Sequence, residues 1–484
     1  MSEDRPPIEP IRPAFHVQFL TEAQLDAMQE ATLRLLEETG VHLPSEQALS
    51  ILYAHGARVD AHTQVVRFPR DLVRRAMAQV PRTFQVGARD PACDFCLGDG
   101  ATYFTTDGCG VEVVDLETGQ QRPSCKEDVG RMARVADYLS SIAFYWPMVS
   151  AQDCGKTAPL HELDASWNNT VKHVQSETLM GAGPARYAVE MATVVAGSRE
   201  ELRRRPVLSL VLCTIAPLAH DKEGIEGALL LAEAGVPVGF LAMPTLGTTA
   251  PATLAGALAV GDAEIVSGTV LLQLAHPGAP VFYSIMQGWA DPRSGTYVPY
   301  PLDARCRYAP VAMAHRWGMP AFGGAYGTES PRPATWQAAA DVALDPFLVS
   351  LAGAEWVTGL GLNRNFTLLY PESIILDDEL YHRARYALAA MEVTDETLAL
   401  DVIQRVGPGG HFLREKHTRQ HMRTAMSPGL THQPGPGGKY RDPHEVAREK
   451  VRWILEHHRP APLEGAQQAE MARILAAADR ELGS

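Results

Sequence analysis

Val236-Pro237-Val238-Gly239-Phe240-Leu241-Ala242-Met243-Pro244-Thr245 runs straight into Leu246-Gly247-Thr248-Thr249-Ala250-Pro251. An apolar run of strand length breaks into small, turn-forming residues, and an Ala/Leu-rich helical pattern follows from about Ala252 to Leu274. This is one strand-loop-helix unit. A strand apolar on both faces is buried on both faces, the habit of a parallel sheet covered by helices. Similar units recur on either side, so the chain reads as a cycle of them with its chemistry in the loops.

Working outward, the candidate strands are Thr102–Thr106, Ser141–Val149, Glu177–Met180, Val207–Ile215, Pro237–Met243, Pro280–Met286, Pro320–Ala325 and Trp356–Leu360, each followed by a helical pattern. Eight such units predict an α/β fold of the (β/α)8 TIM-barrel kind. A doubly wound open sheet would carry a Gly-rich phosphate turn after an early strand. The nearest candidate, Gly407-Pro408-Gly409-Gly410, lies beyond the eighth unit, and its proline removes a donor N–H.

The barrel is expected over 101–395, after an N-terminal helical segment (1–100) that packs on it. There Thr21-Glu22-Ala23-Gln24 forms a capping box and Leu25, Met28, Leu35 and Leu36 share a helical face. A short strand is expected at Val65–Phe68. A C-terminal helical extension (396–484) follows, its last part from Asp442 to Glu481 packing back on the barrel or on another subunit.

The chain has 484 residues, 46% of them hydrophobic and 21% charged, an ordinary globular composition. A net charge of -14 argues against a nucleic-acid partner, which needs a basic face. Arg203-Arg204-Arg205 reads as a solvated helix end. With no apolar leader and no apolar run long enough for a bilayer, the expectation is a cytoplasmic protein without a membrane partner. The 7 cysteines read as buried thiols, and Cys93-Asp94-Phe95-Cys96 lacks the second ligand pair a zinc site would want.

In a TIM barrel the site lies in the loops after the strands. The expected strand ends are rich in rings: Tyr103 and Phe104, Phe144-Tyr145-Trp146, Phe282-Tyr283 with Trp289, Phe322 and Tyr326, and Phe366 with Tyr370. They are poor in metal ligands, with His161, His220 and His276 scattered and no H-x-H, so no metal is expected. The serine-hydrolase elbow G-x-S-x-G and a strand-end lysine are also missing. What remains is an aromatic pocket with a few polar groups, Asp107, Asp153, Glu177, Asn363, Arg364 and Asn365. Ring faces attract cations, above all quaternary ammonium groups.

The chain also resembles the trimethylamine methyltransferase family of corrinoid-dependent enzymes, on its non-pyrrolysine branch, which includes glycine betaine:corrinoid methyltransferases. The matching stretches are Val80-Pro81-Arg82-Thr83-Phe84, Ala88-Arg89-Asp90-Pro91, Leu97-Gly98-Asp99-Gly100, Gly247-Thr248-Thr249-Ala250-Pro251-Ala252-Thr253-Leu254-Ala255, Pro277-Gly278-Ala279-Pro280-Val281, Leu376-Asp377-Asp378-Glu379 and Val406-Gly407-Pro408-Gly409-Gly410-His411-Phe412-Leu413. The resemblance runs from about residue 20 to residue 470.

The resemblance implies transfer of a methyl group from a methylated amine to the Co(I) of a separate corrinoid protein. This chain itself would bind no cofactor, the corrinoid (cobalamin) being supplied by that partner. Founding members carry pyrrolysine in the barrel; this chain has only standard residues, with Thr328-Glu329-Ser330-Pro331-Arg332-Pro333 as the corresponding neighbourhood. That favours a quaternary amine such as glycine betaine. Tyr103, Trp146, Tyr283, Tyr326 and Phe366 are the expected cage rings, Glu177 a further pocket group, and Arg364 the contact for a betaine carboxylate. His411 is a candidate for the corrinoid-partner surface, with a packed or capping histidine as the other reading. Asp377-Asp378-Glu379 reads as a helix start answering the helix dipole. A homo-oligomer is expected. Two other readings keep the pocket, a cytoplasmic binding protein for a methylated osmolyte and a barrel enzyme with a different methyl acceptor.

Overall fold

A computed structural model describes residues 5–108, 110–298, 305–324, 327–425 and 429–483. Its centre is a parallel barrel of β1 (Tyr103–Thr106), β2 (Ile142–Tyr145), β3 (His173–Ser176), β4 (Leu208–Cys213), β5 (Val238–Ala242), β6 (Val281–Ile285), β7 (Phe322–Gly324) and β8 (Trp356–Leu360). Sheet order is β6-β5-β4-β3-β2-β1-β8-β7, and a parallel bridge between Tyr283 and Ala321 joins the two outer strands. The ring closes. The expected fold class is thus the observed one, and the third strand is the one misplaced: it is His173–Ser176, ahead of the expected Glu177–Met180. That strand alternates His and Gln with Val and Ser, and the pattern conceals its burial.

Alternation along each strand separates two cores. Phe104, Tyr145, Val174, Phe240 and Tyr283 point outward into the helix layer, and Tyr103, Phe144, Val211, Leu241, Phe282, Phe322 and Trp356 fill the interior. Inside, the Phe282 ring lies 4.7 Å from Trp356 and 5.7 Å from Phe322. A Cβ on Gly239 would come within 1.9 Å of Phe282, so only glycine leaves room for that ring.

Helix Leu254–Ala275, which follows the opening stretch, is buried at every residue from Ala257 to Gln273. By length and composition it could cross a membrane, which corrects the expectation that no run is long enough. It is instead a core helix, because the barrel lies on one side and N-terminal helices on the other. Thr32 of helix Glu22–Arg34 donates to Asp262, and Ser45 donates to Glu226 at 2.9 Å.

The N-terminal segment holds helices Glu22–Arg34, Glu46–Ala54 and Arg70–Met77, with Thr21 closing the expected capping box. It also contains a small antiparallel sheet of Val41–His42, Arg58–Asp60 and Val65–Arg67, of which only the last was expected. The hairpin Phe84–Val86 with Phe95–Leu97 lies across the N-terminal ends of the barrel strands. Gly87 N–H donates to Pro206 O at 2.9 Å and Asp90 N–H to Val171 O at 3.0 Å. The C-terminal helices Pro443–His457 and Gly465–Leu482 bury Val446, Val451, Ile454, Met471, Ile474 and Leu475. They return to the barrel, as Tyr187 donating to Glu481 at 2.7 Å shows.

Candidate active site

The C-terminal end of the barrel brings together inward-facing residues just past the short strands. Trp146, one residue beyond β2 and 2% exposed, packs against Phe322 with ring centroids 6.0 Å apart. Its position is fixed by β1: Thr106 Oγ1 donates to Trp146 O at 2.6 Å, and Trp146 N–H donates to Thr106 Oγ1 at 3.0 Å. Gly108 makes room for the indole, since a Cβ there would lie 1.8 Å from Trp146 Nε1.

Asp107 stands beside it after β1, 4% exposed, and accepts from Gly108 N–H at 2.7 Å. Glu177, half-buried after β3, acts on Cys213 at the end of β4. The Cys213 thiol is pushed up to about 12, by burial first and the Glu177 charge second. It is therefore a thiol, not a nucleophile, at neutral pH.

The loops above are held by buried acids, of which sequence reasoning passed over Glu162 and Glu264 and read Asp377 otherwise. Glu162 accepts from Ser150 Oγ at 2.9 Å, Ala151 N–H at 3.0 Å and Thr178 Oγ1 at 3.2 Å, tying the loops after β2 and β3. Glu264 accepts from Thr214 Oγ1 at 2.5 Å and Leu218 N–H at 2.8 Å, fixing the loop after β4. Asp377 accepts from Gly361 N–H at 2.7 Å, fixing the end of β8. Burial raises all three carboxyls, Asp377 to about 8. Asp377 lies in the second turn of helix Ser373–Leu388, so the helix-start reading of Asp377-Asp378-Glu379 is corrected. The available signal was an acid between apolar neighbours, as with Glu264 between Ala263 and Ile265.

The other expected site residues fall elsewhere. Tyr103 opens β1 at the opposite, N-terminal end, where it stacks on Phe95 at 4.3 Å and donates to Asp99 at 2.8 Å. The expectation failed because the ring was placed at the strand's end when it stands at its start. Tyr283 faces outward, donating to Asp262 at 2.7 Å; its neighbour Phe282 is the inward ring. Tyr326 lies outside the described residues. Phe366 is half-buried against the outer core. Arg364, Asn365 and Phe366 share positive φ of 47°, 54° and 62°, and this strained turn is pinned by Arg364 N–H to Ser330 O and Asn365 N–H to Thr328 O. Arg364 is ion-paired with Glu112 at the rim. Asn363 accepts from Ser373 Oγ at 2.6 Å, and exposed Asp153 accepts from the Lys126 N–H. His411 is exposed on the loop between helices Leu400–Val406 and Lys416–Ala425.

A cavity of about 500 Å³ lies beside the mouth, walled by Thr328, Ala338, Asn363, Ser373, Asp377 and Leu430, with no residue of β1–β8 in its lining. The rim over the strands exposes apolar side chains, Val111, Met180, Ile215 and Met243. Among the described residues no group of three His, Cys, Asp or Glu is arranged to hold a metal ion.

Comparison with known proteins adds a consistent set of relatives. A family profile described as Trimethylamine methyltransferase (MTTB) matches residues 4–483. A trimethylamine methyltransferase MttB of Desulfitobacterium hafniense (strain DSM 10664 / DCB-2) is 33% identical over 472 residues, covering 96% of this chain and 94% of that one. A glycine betaine methyltransferase of Desulfitobacterium hafniense (strain Y51) is 28% identical, covering 96% and 98%. Among solved structures, the Methanosarcina barkeri monomethylamine methyltransferase (MtmB) aligns at a TM-score of 0.46 with 12% identity, over 95% of this chain and 92% of that chain.

Proposed function

The chain belongs to the trimethylamine methyltransferase family and is a methyltransferase, and we propose that it demethylates a quaternary amine such as glycine betaine, passing the methyl group to a separate corrinoid protein. The observation that carries this reading is the C-terminal end of the barrel, where the indole of Trp146 packs on Phe322 and the residues just past the first and third strands are the acids Asp107 and Glu177. Ring faces and carboxylates are what a cation without N–H groups can use. Its solvation in water must be replaced, and a buried positive charge needs negative charge nearby.

The reaction asks little of acids or bases. The co-substrate supplies a Co(I) nucleophile and its electron pair. As the methyl carbon is taken, the C–N pair stays on nitrogen, which leaves as a neutral amine with no proton to deliver. This chain's part is to hold one methyl group upward, keep water out and avoid overbinding a charge that vanishes in the transition state. Asp107 and Glu177 attract the cation, and Trp146 and Phe322 shape its seat. Val111, Met180, Ile215 and Met243 form an apolar rim suited to a protein that covers the mouth. Arg364, already paired with Glu112, could meet a substrate carboxylate only by sharing that partner.

The test is to mix the protein with reduced cobalamin and a panel of betaines and follow the visible spectrum. Methylcobalamin formed with a quaternary amine supports the reading. Binding across the panel with no methyl transfer would refute it in favour of a binding protein.

A further inference from the structure

Gln175 is a buried polar side chain whose amide is half used. It is the second inward residue of β3, 0% exposed, and one end of the amide meets Ser209 Oγ at 3.3 Å. The other end has no hydrogen-bond partner. A buried amide left half-paired is uncommon and calls for a reason.

The register of the barrel places that free end. β2 and β3 pair His173 with Phe144 and Val174 with Tyr145. One step further sets Gln175 level with Trp146, and both face inward, because Phe144 and His173 do. Glu177 follows two residues later on the same face. The unpaired group therefore stands beside the mouth indole, one level below Glu177.

Proton counting decides which end is free. Burial holds His173 down to about 4, so its ring is neutral. Its Nδ1 faces Gly87 O at 2.8 Å and Pro206 O at 3.1 Å, two acceptors, so Nδ1 carries the hydrogen. Nε2 then accepts, and Ser209, at 2.9 Å, spends its single hydroxyl hydrogen there. The structure sets Gln175 Oε1 toward Ser209 and leaves Nε2 unpaired, but Ser209 Oγ can only accept here, so the two ends of the amide are exchanged and the oxygen is the group without a partner. Neutral His173 at the barrel floor thereby sets the polarity of a group at the mouth.

We propose that Gln175 is a specificity-determining residue, its unpaired amide oxygen facing the cationic head of the substrate beside Trp146. This rests on the quaternary-amine reading above and sharpens it: at the Trp146 level sits the ammonium head, and a carboxylate tail points elsewhere, since a carboxylate would meet an acceptor. An amide dipole suits the reaction better than a full charge. It draws in the cation without holding it against loss of charge on nitrogen.

The test compares two probes in calorimetry: tetramethylammonium, a cationic head without a tail, and 3,3-dimethylbutanoate, a neutral head of the same shape on a carboxylate tail. In Gln175→Met the cation should bind about tenfold more weakly, with the neutral-headed probe unchanged. In Gln175→Glu the cation should bind more tightly while methyl transfer slows. Equal losses for both probes, or none, would overturn the assignment, because a merely structural amide does not distinguish heads. If wild-type protein binds and demethylates a quaternary amine but Gln175→Met shows no head preference, this inference alone falls. If wild-type protein binds no quaternary cation, the functional reading falls with it.

Discussion

At the N-terminal end of the barrel Tyr103 stacks on Phe95 and gives its hydroxyl to Asp99, which also pairs with Arg12. At the C-terminal end Trp146 packs on Phe322 beneath a rim that exposes Val111, Met180, Ile215 and Met243. Both ends hold rings and acids. At the floor, hairpin 84–97 closes the barrel, and His173 is satisfied by carbonyls from both that hairpin and the chain before β4. At the mouth, Gln175 keeps an unpaired group. The difference teaches that residue type does not assign a ring to catalysis; a ring serves a ligand only where its polar neighbours are left with unmet demand.

The largest effect that would break this contrast is at Gly108. Gly108→Ala drives a Cβ into the Trp146 indole, and the displaced ring should cost about 10²-fold in methyl-transfer rate, measured at saturating amine. Far-UV circular dichroism should be unchanged, since Gly108 lies outside the barrel strands.

Tyr283 sharpens the contrast from the outer face. Tyr283→Phe should leave amine affinity as it is and lower stability by about 2 kcal/mol in urea unfolding, because Asp262 loses a donor. The loss depends on pH. Burial lifts the Asp262 carboxyl from 3.8 to about 6, while Thr32, Tyr283 and Trp317 pull it back down. As pH rises between those values the unfolded chain gives up its proton first, so this group's contribution to stability falls and then levels off. Without the Tyr283 hydroxyl the carboxyl rises further. The deficit of Tyr283→Phe should therefore be larger at pH 7 than at pH 5; a constant deficit would contradict the buried-carboxylate account.

Glu112→Gln should have the smallest effect. The Arg364–Glu112 pair is partly exposed at the rim, so the unfolding midpoint should barely move. Freed of its partner, Arg364 should improve binding of a zwitterionic betaine over tetramethylammonium, a comparison made by calorimetry.

Much of the fold was legible because strands Leu208–Cys213, Val238–Ala242 and Val281–Ile285 are largely apolar on both faces and announce burial from pattern alone. β3 was not, because His173 and Gln175 are polar side chains buried inside the barrel, which no apolar pattern announces. The candidate site was legible only in part. Trp146 and Glu177 fall at the mouth, but a shift of one residue turns Tyr283 outward, and position within a strand sends Tyr103 to the floor. The family motifs Ala88-Arg89-Asp90-Pro91 and Leu97-Gly98-Asp99-Gly100 are floor structure: Arg89 donates to Trp167 O and Thr170 O, and Asp99 holds Tyr103 and Arg12. The acids that fix the mouth loops, Glu162, Glu264 and Asp377, sit on helices, where sequence pattern does not tell an acid that holds a loop from one on a solvated face.

The account stands most directly on the role of the mouth indole, and the measurement is the rate of methylcobalamin formation from a quaternary amine by wild-type protein and Trp146→Leu under identical conditions. The account predicts steady formation by the wild type and at least about a tenfold loss in the variant, in line with a desolvated cation–ring contact. Equal rates in the two proteins would contradict it.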